Sequence, residues 1–479
     1  MIERRRWSSW RAWTATTALA ATGMALVLPA QPAPAARDRS PNIVFIVTDD
    51  QRWDTLWSMP VVSSELAGRG VTFSNGFVSN PLCCPSRAAI LTGQYSRSTG
   101  VYTNKDRSSF GGFAAFDDRS TIATWLHDSG YRTGLFGKYI NGYPGEYVPP
   151  GWDRWFATYD NKGYYGYLAT TEDGIESSYG NAAADYGTSV IGQNAADFIR
   201  SAPRGHPFFA YVAPHAPHNP ATPGPGDEAA FADLPPWRPP AYDEADIGDK
   251  PEYIQKRARI DGSDEAAIDA FRADQYRSLL AVDRAVANIL DALADTDRLS
   301  QTLIVFTSDN GLLWGEHRWE RKSVPYEESI RVPYVVRYDP LVSRAHTDAR
   351  LVVNVDIAPT AADLAGVDAP GADGDSLIPL LRTASGRWRS DFLIEHMAEG
   401  PGSGPPTYCG VRSTSATYVY YETGEQELYD LRSDPNQLSN LAAAGTDAGS
   451  RELLDSMRER LSDLCSPRPP GLKLPRWGG

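Results

Sequence analysis

Uninterrupted apolar runs predict the main strands of this chain. Residues 43–47 read Ile-Val-Phe-Ile-Val, and the segments 207–213 and 303–306 are equally free of polar alternation. Runs of this kind indicate strands that are buried on both faces, as in a parallel sheet. Tyr131–Phe136 is predicted as a further strand of the same sheet.

Helical periodicity lies between these runs. Apolar residues recur at helical spacing from Ala266 to Leu293, which predicts one long helix. Ser120–Ser129 is predicted as a shorter helix that starts with a Ser cap and stops before Gly130. Residues 220–251 are rich in Pro and acidic residues without periodicity, so we expect a long surface loop there. This alternation predicts an α/β fold with a large, doubly wound mixed sheet sandwiched by helices.

The pattern changes near Gly386. Asn354–Gly366 is predicted as a helix that is kinked near Pro359. Short strands and one helix follow, which predicts a smaller C-terminal α+β subdomain with an antiparallel sheet. We therefore expect a main domain over 37–385 and the subdomain over 386–479. Its strands and closing helix are predicted at 391–395, 418–421, 427–431 and 450–461.

The segment 80–93 is predicted as a loop that turns into a helix. Pro85 suits the first helical turn, and Gly93 suits the end of the helix. Cys83 would then lie at the helix N-terminus, where free N–H groups and the helix dipole favour negative charge. Arg87 adds a permanent cation one turn later. The segment therefore indicates a corner that binds or processes an anion.

Two predicted strands end in polar residues. Asp49 and Asp50 follow the first strand, and Asp309 and Asn310 follow the strand at 303–306. Ligand sites of parallel sheets lie at the carboxyl ends of the strands. Because these four residues offer oxygen ligands, they suit a hard cation, Ca²⁺ or Mg²⁺. Paired acids at a strand end can also be helix caps.

Composition and charge narrow the class of protein. Of the 479 residues, 42% are hydrophobic and 22% are charged, which is typical of a soluble globular enzyme. The formal net charge of −14 argues against nucleic acid as a partner. A local positive pocket on an acidic protein still allows an anionic substrate.

The N-terminus has the pattern of a signal peptide. Three arginines at 4–6 precede an apolar region at 18–28 and the small residues Ala-Pro-Ala-Ala at 33–36. We assign residues 1–36 to a signal peptide and expect a protein that is secreted or held in the cell envelope. The apolar run is too short and too interrupted for a comfortable membrane span, so we do not expect an integral membrane protein.

The segment from Cys83 to Gly93 reads Cys-x-Pro-Ser-Arg-Ala-Ala-x-Leu-Thr-Gly and resembles the signature of the sulfatase family, in the alkaline-phosphatase superfamily. The resemblance implies that a formylglycine-generating enzyme oxidises Cys83 to Cα-formylglycine, an aldehyde that hydrates to a geminal diol. Residues 427–442 resemble the sulfatase C-terminal domain, so the resemblance covers nearly the whole mature chain and makes 37–385 the catalytic domain.

The resemblance also implies a set of site residues. One group would bind the metal, with Ca²⁺ favoured and Mg²⁺ possible, and formylglycine 83 would complete its shell. A second group would bind and process the sulfate ester. The metal ligands are Asp49, Asp50, Cys83, Asp309 and Asn310, and the catalytic residues are Cys83, Arg87, Lys138, His215 and Lys322.

One position departs from the common sulfatase pattern. Many sulfatases have His two residues after the first Lys, but here that position is Ile140. The segment 137–143 instead resembles N-acetylglucosamine-6-sulfatases and extracellular heparan 6-O-endosulfatases. The substrate that this implies is a 6-O-sulfated glucosamine or a related saccharide. Because the base of the last step is then unassigned, His218 and His317 are candidates for proton transfer.

Four cysteines are present, and export permits disulfides. Cys409 and Cys465 both lie in the C-terminal region and are candidates for a bridge. Cys84 would then be an unpaired buried thiol.

Two alternatives remain open from sequence. A phosphonate monoester or phosphodiester hydrolase of the same superfamily can use a similar Cys-x-Pro-x-Arg loop. A non-catalytic binder of sulfated glycans could retain the pocket without turnover. Several aromatic residues either stack on sugar rings or pack in the core: Tyr164, Tyr165, Tyr167, Trp314 and Trp319.

Overall fold

The computed structural model describes residues 40–105, 109–159, 162–382, 386–400, 404–443 and 448–477. The predicted signal peptide lies outside these residues. The strands of the described chain are β1 (Asn42–Thr48), β2 (Val71–Phe77), β3 (Arg132–Lys138), β4 (Arg154–Tyr159), β5 (Leu168–Thr171), β6 (Glu176–Ser178), β7 (Phe208–Ala213), β8 (Thr302–Ser308), β9 (Leu313–Trp314), β10 (Glu320–Arg321), β11 (Tyr334–Arg337), β12 (His346–Val353), β13 (Asp391–His396), β14 (Tyr408–Ser413), β15 (Ala416–Tyr421) and β16 (Gln426–Asp430).

The α-helices of the same residues range from single turns to 34 residues. No helix in the described ranges is long and apolar enough to cross a membrane. The helices are α1 (Cys83–Thr92), α2 (Ser96–Thr99), α3 (Gly112–Ala115), α4 (Ile122–Asp128), α5 (Gly187–Ser201), α6 (Glu252–Gln255), α7 (Gly262–Asp295), α8 (Glu327–Ile330), α9 (Ile357–Ala365), α10 (Ile378–Arg382) and α11 (Ala448–Leu464).

A large mixed sheet forms the centre of the fold. Within the described residues it has ten strands, in the order β12-β2-β11-β8-β1-β7-β3-β4-β5-β6. β1 is fully buried and pairs in parallel with β8 on one side and β7 on the other. The uninterrupted apolar runs are therefore central parallel strands, as predicted. Thr48 lies opposite Ser308, so both strands end at the same level of the sheet.

Helices cover both faces of this sheet. Alternate residues of β1 enter different cores, since Phe45 packs in one cluster and Ile46 in the other. The first cluster includes residues of α1, α4 and α9, and the second includes residues of α5 and α7. The Asp261 side chain caps α7 by accepting from the N–H groups of Ser263 and Asp264. The predicted doubly wound α/β fold is confirmed.

A separate antiparallel sheet, β13-β14-β15-β16, forms the C-terminal part. α11 packs against it through Leu454, Met457 and Leu461. A disulfide joins Cys409 on β14 to Cys465, just after α11, which confirms the predicted pairing. The small α+β part is thus confirmed, while a domain boundary at residue 386 stays a prediction.

Some local predictions were wrong. Pro359 does not kink a helix, because α9 begins at Ile357 and the proline lies in its first turn, where its missing N–H costs little. The cap of α4 is Thr121 rather than Ser120, since Thr121 and Thr124 form a capping box. Strand β14 was not predicted at all.

Candidate active site

The carboxyl ends of four neighbouring strands and the start of one helix meet at one edge of the large sheet. β1 and β8 are followed by Asp49 and Asp309, β3 ends at Lys138, and His215 lies two residues beyond β7. Helix α1 begins at Cys83, which confirms the prediction that this residue lies at a helix N-terminus. This edge is where parallel sheets bind ligands.

Asp49, Asp50 and Asp309 form a buried group that we call the carboxylate cluster; each is at most 3% exposed. The Asp50 N–H donates to Asp309 Oδ1 at 3.1 Å, which links the ends of β1 and β8. Asp50 has a φ of 65°, a left-handed conformation that is uncommon outside glycine and typical of functional sites. Asn310 Nδ2 donates to Asp50 Oδ1 at 2.7 Å.

Cys83 lies between the carboxylate cluster and a lysine. Its Sγ is 3.7 Å from Asp49 Oδ1 and 2.8 Å from Lys322 Nζ. Burial raises the pKa of the thiol to about 11, although Lys138 and Lys322 oppose this shift. An unmodified Cys83 therefore stays protonated at neutral pH and is a poor nucleophile.

Three cationic side chains, which we call the cation set, face the carboxylate cluster: Arg87, Lys138 and Lys322. Arg87 is fully buried, and its Nε donates to Asp309 Oδ2 at 2.8 Å. Lys138 Nζ donates to Asp49 Oδ2 at 2.5 Å. Lys322 Nζ donates to Asp50 Oδ1.

These pairs set the protonation of the cluster. Burial alone would raise the pKa of Asp49 and Asp50, but the positive groups around each carboxyl together outweigh it and lower the pKa. Lys138 contributes most to this lowering at Asp49, and Lys322 contributes most at Asp50. Burial and the charge of Asp49 raise the pKa of Asp309. The lysines respond in the opposite sense: burial would lower their pKa, but the facing carboxylates raise it. Both lysines therefore stay charged at neutral pH.

The residues present fit a divalent hard cation. Asn310 Oδ1 is buried and has no hydrogen-bond partner, so an acceptor oxygen beside three carboxylates is left for another group. Carboxylate and amide oxygens are ligands that Ca²⁺ and Mg²⁺ prefer. Asp49, Asp50, Cys83 and His218 also have ligand atoms within 4.8 Å of one another. Because the three carboxylates are matched by the cation set, a bound divalent ion would leave the site net positive and favourable to an anion.

Two histidines belong to this site and one does not. His215 Nδ1 is 3.5 Å from Asp49 Oδ2, and burial lowers the pKa of His215 to about 3 despite that carboxylate. His218 Nε2 is 3.7 Å from Asp50 Oδ2. His317 Nδ1 instead lies 2.6 Å from Glu244 Oε2, and the His317 ring is stacked on Tyr326. This histidine therefore stabilises the loop that precedes Lys322. Of the two sequence candidates for proton transfer, only His218 reaches the carboxylate cluster.

Unusual backbone conformations position Lys138 and Lys322 in the site. Gly137 has a φ of 109°, and a Cβ there would lie 2.1 Å from the Ala213 carbonyl oxygen, so only glycine permits this approach of β3 to β7. The loop before and around Lys322 carries four non-glycine residues with positive φ, a concentration of strain that is typical of active sites. These residues are His317, Arg318, Arg321 and Ser323.

Two cavities open on this edge of the sheet. One of about 260 Å³ is lined by Lys138 and His215 together with Asn141, Thr158 and Gly163. Sequence reasoning gave no role to the last three; Asn141 lies in the segment next to Lys138, which was the only signal for it. Asn141 Oδ1 and His215 Nε2 are both buried without a hydrogen-bond partner.

The other cavity has a volume of about 480 Å³, and we call it the active-site cavity. Asp50, His218 and Lys322 line it on the side of the carboxylate cluster, and Trp314 and Trp319 line it elsewhere. Of the aromatic residues singled out in the sequence, these two therefore reach a cavity. Tyr167, by contrast, is packed in the core.

Comparison with known proteins identifies the family of this chain. The family model described as Sulfatase matches residues 41–367, and a second, described as N-sulphoglucosamine sulphohydrolase, C-terminal, matches residues 315–466. The N-acetylglucosamine-6-sulfatase of Homo sapiens is 33% identical over 490 residues, covering 92% of this chain and 87% of that protein. The extracellular sulfatase SULF-1 homolog of Drosophila melanogaster is 34% identical over 373 residues, covering 75% of this chain but only 33% of that relative's length.

A solved structure of a protein in complex with its substrate D-glucosamine-2-N,6-O-disulfate matches with a TM-score of 0.77 at 24% identity. The match covers 88% of this chain and 97% of the other, and at this identity it shows a shared fold. The Sulfatase family model extends over more than half of the chain, and the human relative is matched over most of its length. The resemblance seen in the segment from Cys83 to Gly93 is thus confirmed: the chain belongs to the sulfatase family, and it is a hydrolase of sulfate esters.

Proposed function

We propose that this protein is an exported sulfatase that removes 6-O-sulfate from glucosamine-containing saccharides. Three observations support the substrate class. The human relative is named an N-acetylglucosamine-6-sulfatase, and the protein whose solved structure shares this fold is in complex with a glucosamine disulfate. The segment 137–143 also resembles that branch of the family.

The position of Cys83 carries the proposal. A buried thiol with a pKa of about 11 is inert, yet it lies at a helix N-terminus and 2.8 Å from a lysine. A formylglycine-generating enzyme would convert it to Cα-formylglycine. One hydroxyl of the hydrated aldehyde would attack sulfur while the alcohol of the ester leaves. The second hydroxyl would then lose its proton, so that the aldehyde re-forms and sulfate is released.

The metal would be held by Asp49, Asp50, Asp309 and Asn310 together with residue 83. Calcium is our preferred ion, because the donor set is dominated by carboxylate oxygens. When bound, the ion would polarise a sulfate oxygen and would lower the pKa of a formylglycine hydroxyl.

The chain's own side chains would bind and orient the sulfate ester. Lys138 and Lys322 are charged at neutral pH and offer donors to sulfonate oxygens, where charge builds up in the transition state. Arg87 is fixed by Asp309 and keeps its charge beside them. His215 is neutral in the free site, since burial lowers its pKa to about 3, so it can donate one N–H to an oxygen without competing for a proton.

Two proton transfers complete the reaction. Lys322 carries a proton beside Cys83 and is our candidate to protonate the leaving alcohol. His218 lines the active-site cavity and contacts Asp50, so it is our candidate for the imidazole missing at Ile140.

Mass spectrometry of the protein secreted by its native host tests the nucleophile. The peptide spanning Leu82–Arg87 should be lighter by about 18 Da than the unmodified sequence, as expected for conversion of a thiol to an aldehyde. The Cys83→Ala variant should fold normally but show no turnover. An unmodified Cys83 in active protein, or an active alanine variant, contradicts the mechanism.

Kinetics with matched substrates test the reaction and the sugar. We expect hydrolysis of 4-methylumbelliferyl N-acetylglucosamine 6-sulfate, and much slower hydrolysis of an aryl phosphonate. A preference for the phosphonate would favour a phosphonate monoester hydrolase. Binding of the sulfated sugar without release of sulfate would favour a glycan-binding protein.

Export is tested on the same material. N-terminal sequencing of the secreted protein should begin near residue 37 if residues 1–36 are a signal peptide. Retention of the whole N-terminus inside the cell would contradict export.

A further inference from the structure

A larger cavity adjoins the active-site cavity. It has a volume of about 760 Å³, against about 480 Å³ for the active-site cavity. Gly404 and Pro405 line both, and the segment 398–400 contributes residues to each in turn. The two cavities therefore share one wall.

Side-chain contacts connect the two cavities at a second place. Trp319 lines the active-site cavity, while Tyr253 and Arg257 line the larger one. The Arg257 guanidinium lies 4.1 Å from the centre of the Trp319 ring, and Tyr253 meets Trp319 edge-on at 5.5 Å. This is the geometry of a cation–π contact, which holds the guanidinium at the junction of the two cavities.

In the larger cavity, Arg257 is a cation whose guanidinium is not paired with a carboxylate of the residues that the structure describes. Within the described chain, no carboxylate lies within ion-pairing distance of it, whereas the neighbouring Lys256 pairs with Glu252 at 2.8 Å. Of the acidic residues that line the larger cavity, Glu252 is the partner of Lys256. Glu425 accepts from the Glu252 N–H at 2.7 Å, and Glu422 accepts from the Thr407 N–H at 2.9 Å. An unpaired, oriented guanidinium recognises sulfate or carboxylate oxygens well.

We propose that the joined cavities form one groove for an anionic oligosaccharide. The inference rests on the proposed function and extends it: the sulfated glucosamine occupies the active-site cavity, and the neighbouring sugars occupy the larger one. Arg257 contacts a sulfate or carboxylate on a neighbouring sugar. The volumes suit this division, because each cavity alone is within the usual size of a ligand site. The preferred substrate is therefore an oligosaccharide rather than a free monosaccharide.

Titration calorimetry on the full-length Cys83→Ala protein tests the groove without turnover. The probes are glucosamine 6-sulfate, a heparin-derived tetrasaccharide with a 6-O-sulfated glucosamine at one end, and a chitotetraose with one terminal 6-O-sulfate. We expect the heparin-type probe to bind at least tenfold more tightly than the monosaccharide. The chitotetraose has no anion beyond its terminal sugar and should lose most of this gain.

Arginine variants in the same background identify the contact. Arg257→Ala should weaken binding of the heparin-type tetrasaccharide about tenfold, the usual effect of losing one contact to a charged group. The matched control is Arg259→Ala, two residues away, whose side chain pairs with Asp243 at 2.7 Å and does not line the groove. The control should bind the tetrasaccharide as the Cys83→Ala parent does.

The outcomes separate the two proposals. Equal affinity for the monosaccharide and both tetrasaccharides overturns the groove, as does an Arg257→Ala variant that binds like the Arg259→Ala control. If both tetrasaccharides bind more tightly than the monosaccharide by the same factor, the anion contact at Arg257 is refuted. If the wild-type protein fails to release sulfate from any sulfated glucosamine, the proposed function fails, whatever the binding data show.

Discussion

Glu395 is a buried carboxyl whose protonation should control stability. It lies on β13 and is fully buried, and its backbone N–H donates to the Ser79 carbonyl at 2.8 Å. Burial raises its pKa to about 8, and the charge of Asp373 adds to this shift while Arg97 opposes it. The strand that carries Glu395 is therefore bonded to the chain just before α1.

The sign of the effect follows from proton binding. Between pH 4.5 and 8 the folded state keeps a proton on Glu395, whereas the unfolded state releases it. The stability from this group is thus fully present below pH 4.5 and is lost as the pH rises through 8. The full slope is about 1.36 kcal/mol for each pH unit. Because the unfolded state is still partly protonated at pH 5 and the folded state is half deprotonated at pH 8, the loss between these pH values is about 3 kcal/mol.

Replacing Glu395 with Gln removes the titration and keeps the shape. When the pH is raised from 5 to 8, the free energy of unfolding of Glu395→Gln should increase relative to that of wild type by about 3 kcal/mol. With an unfolding entropy of about 2.1 cal/mol/K per residue, roughly 440 residues convert this into a change in Tm of about 3 °C.

Differential scanning calorimetry at pH 5 and pH 8 measures this difference. Glu459→Gln is the matched control, because it makes the same chemical change on the exposed surface of α11. Its Tm relative to wild type should be the same at both pH values. If the Tm difference between Glu395→Gln and wild type is also independent of pH, Glu395 is not protonated in the folded protein and the reasoning is wrong.

Three further predictions concern the site and the C-terminal sheet. A Cβ at Gly163 would lie 2.3 Å from the His215 side chain, so Gly163→Ala should displace that ring and lower kcat about 100-fold with little change in Tm. Replacing Cys409 and Cys465 with Ala removes a cross-link between residues 56 apart, which should lower the free energy of unfolding by about 4 kcal/mol in denaturant titration. Calcium added to chelator-treated protein should raise Tm, since an ion at 100 times its Kd stabilises the folded state by about 2.7 kcal/mol.

Each of these has a control. Gly262→Ala, where a new Cβ meets no atom within 4 Å, should keep wild-type kcat. Reducing the disulfide of wild type should reproduce the loss seen in the double alanine variant. A Tm that ignores calcium, in protein from which all metal has been removed, would contradict the proposed metal site.

The fold was predictable where the residues of a single strand form an apolar pattern that identifies it. β1 and β8 are buried at every position and apolar through their central residues, because both of their faces are covered by helices. Strand β14 was missed because Gly410 and Arg412 interrupt its apolar character. It is a strand because β13 and β15 pair with it on both sides, which no local pattern reveals.

The candidate site was predictable in residue type but not in conformation. Strand ends with Asp and Asn indicated an oxygen-rich site at the correct edge of the sheet. The left-handed backbone at Asp50 and around Lys322 could not be foreseen, because these residues are not glycine and the geometry depends on distant contacts. One such contact is the Ser323 N–H, which donates to the Pro81 carbonyl at 3.1 Å.

The burial of Cys83 has a consequence for biosynthesis. The side chain is 1% exposed and lies beneath the loop of Lys322, so no other enzyme can reach it once α1 has docked. If Cys83 is oxidised as we propose, the oxidation has to occur on the nascent or unfolded chain. The active fraction of the protein would then be set by a competition between maturation and folding. A cell that folds the chain faster than it oxidises Cys83 would accumulate a stable but inactive product.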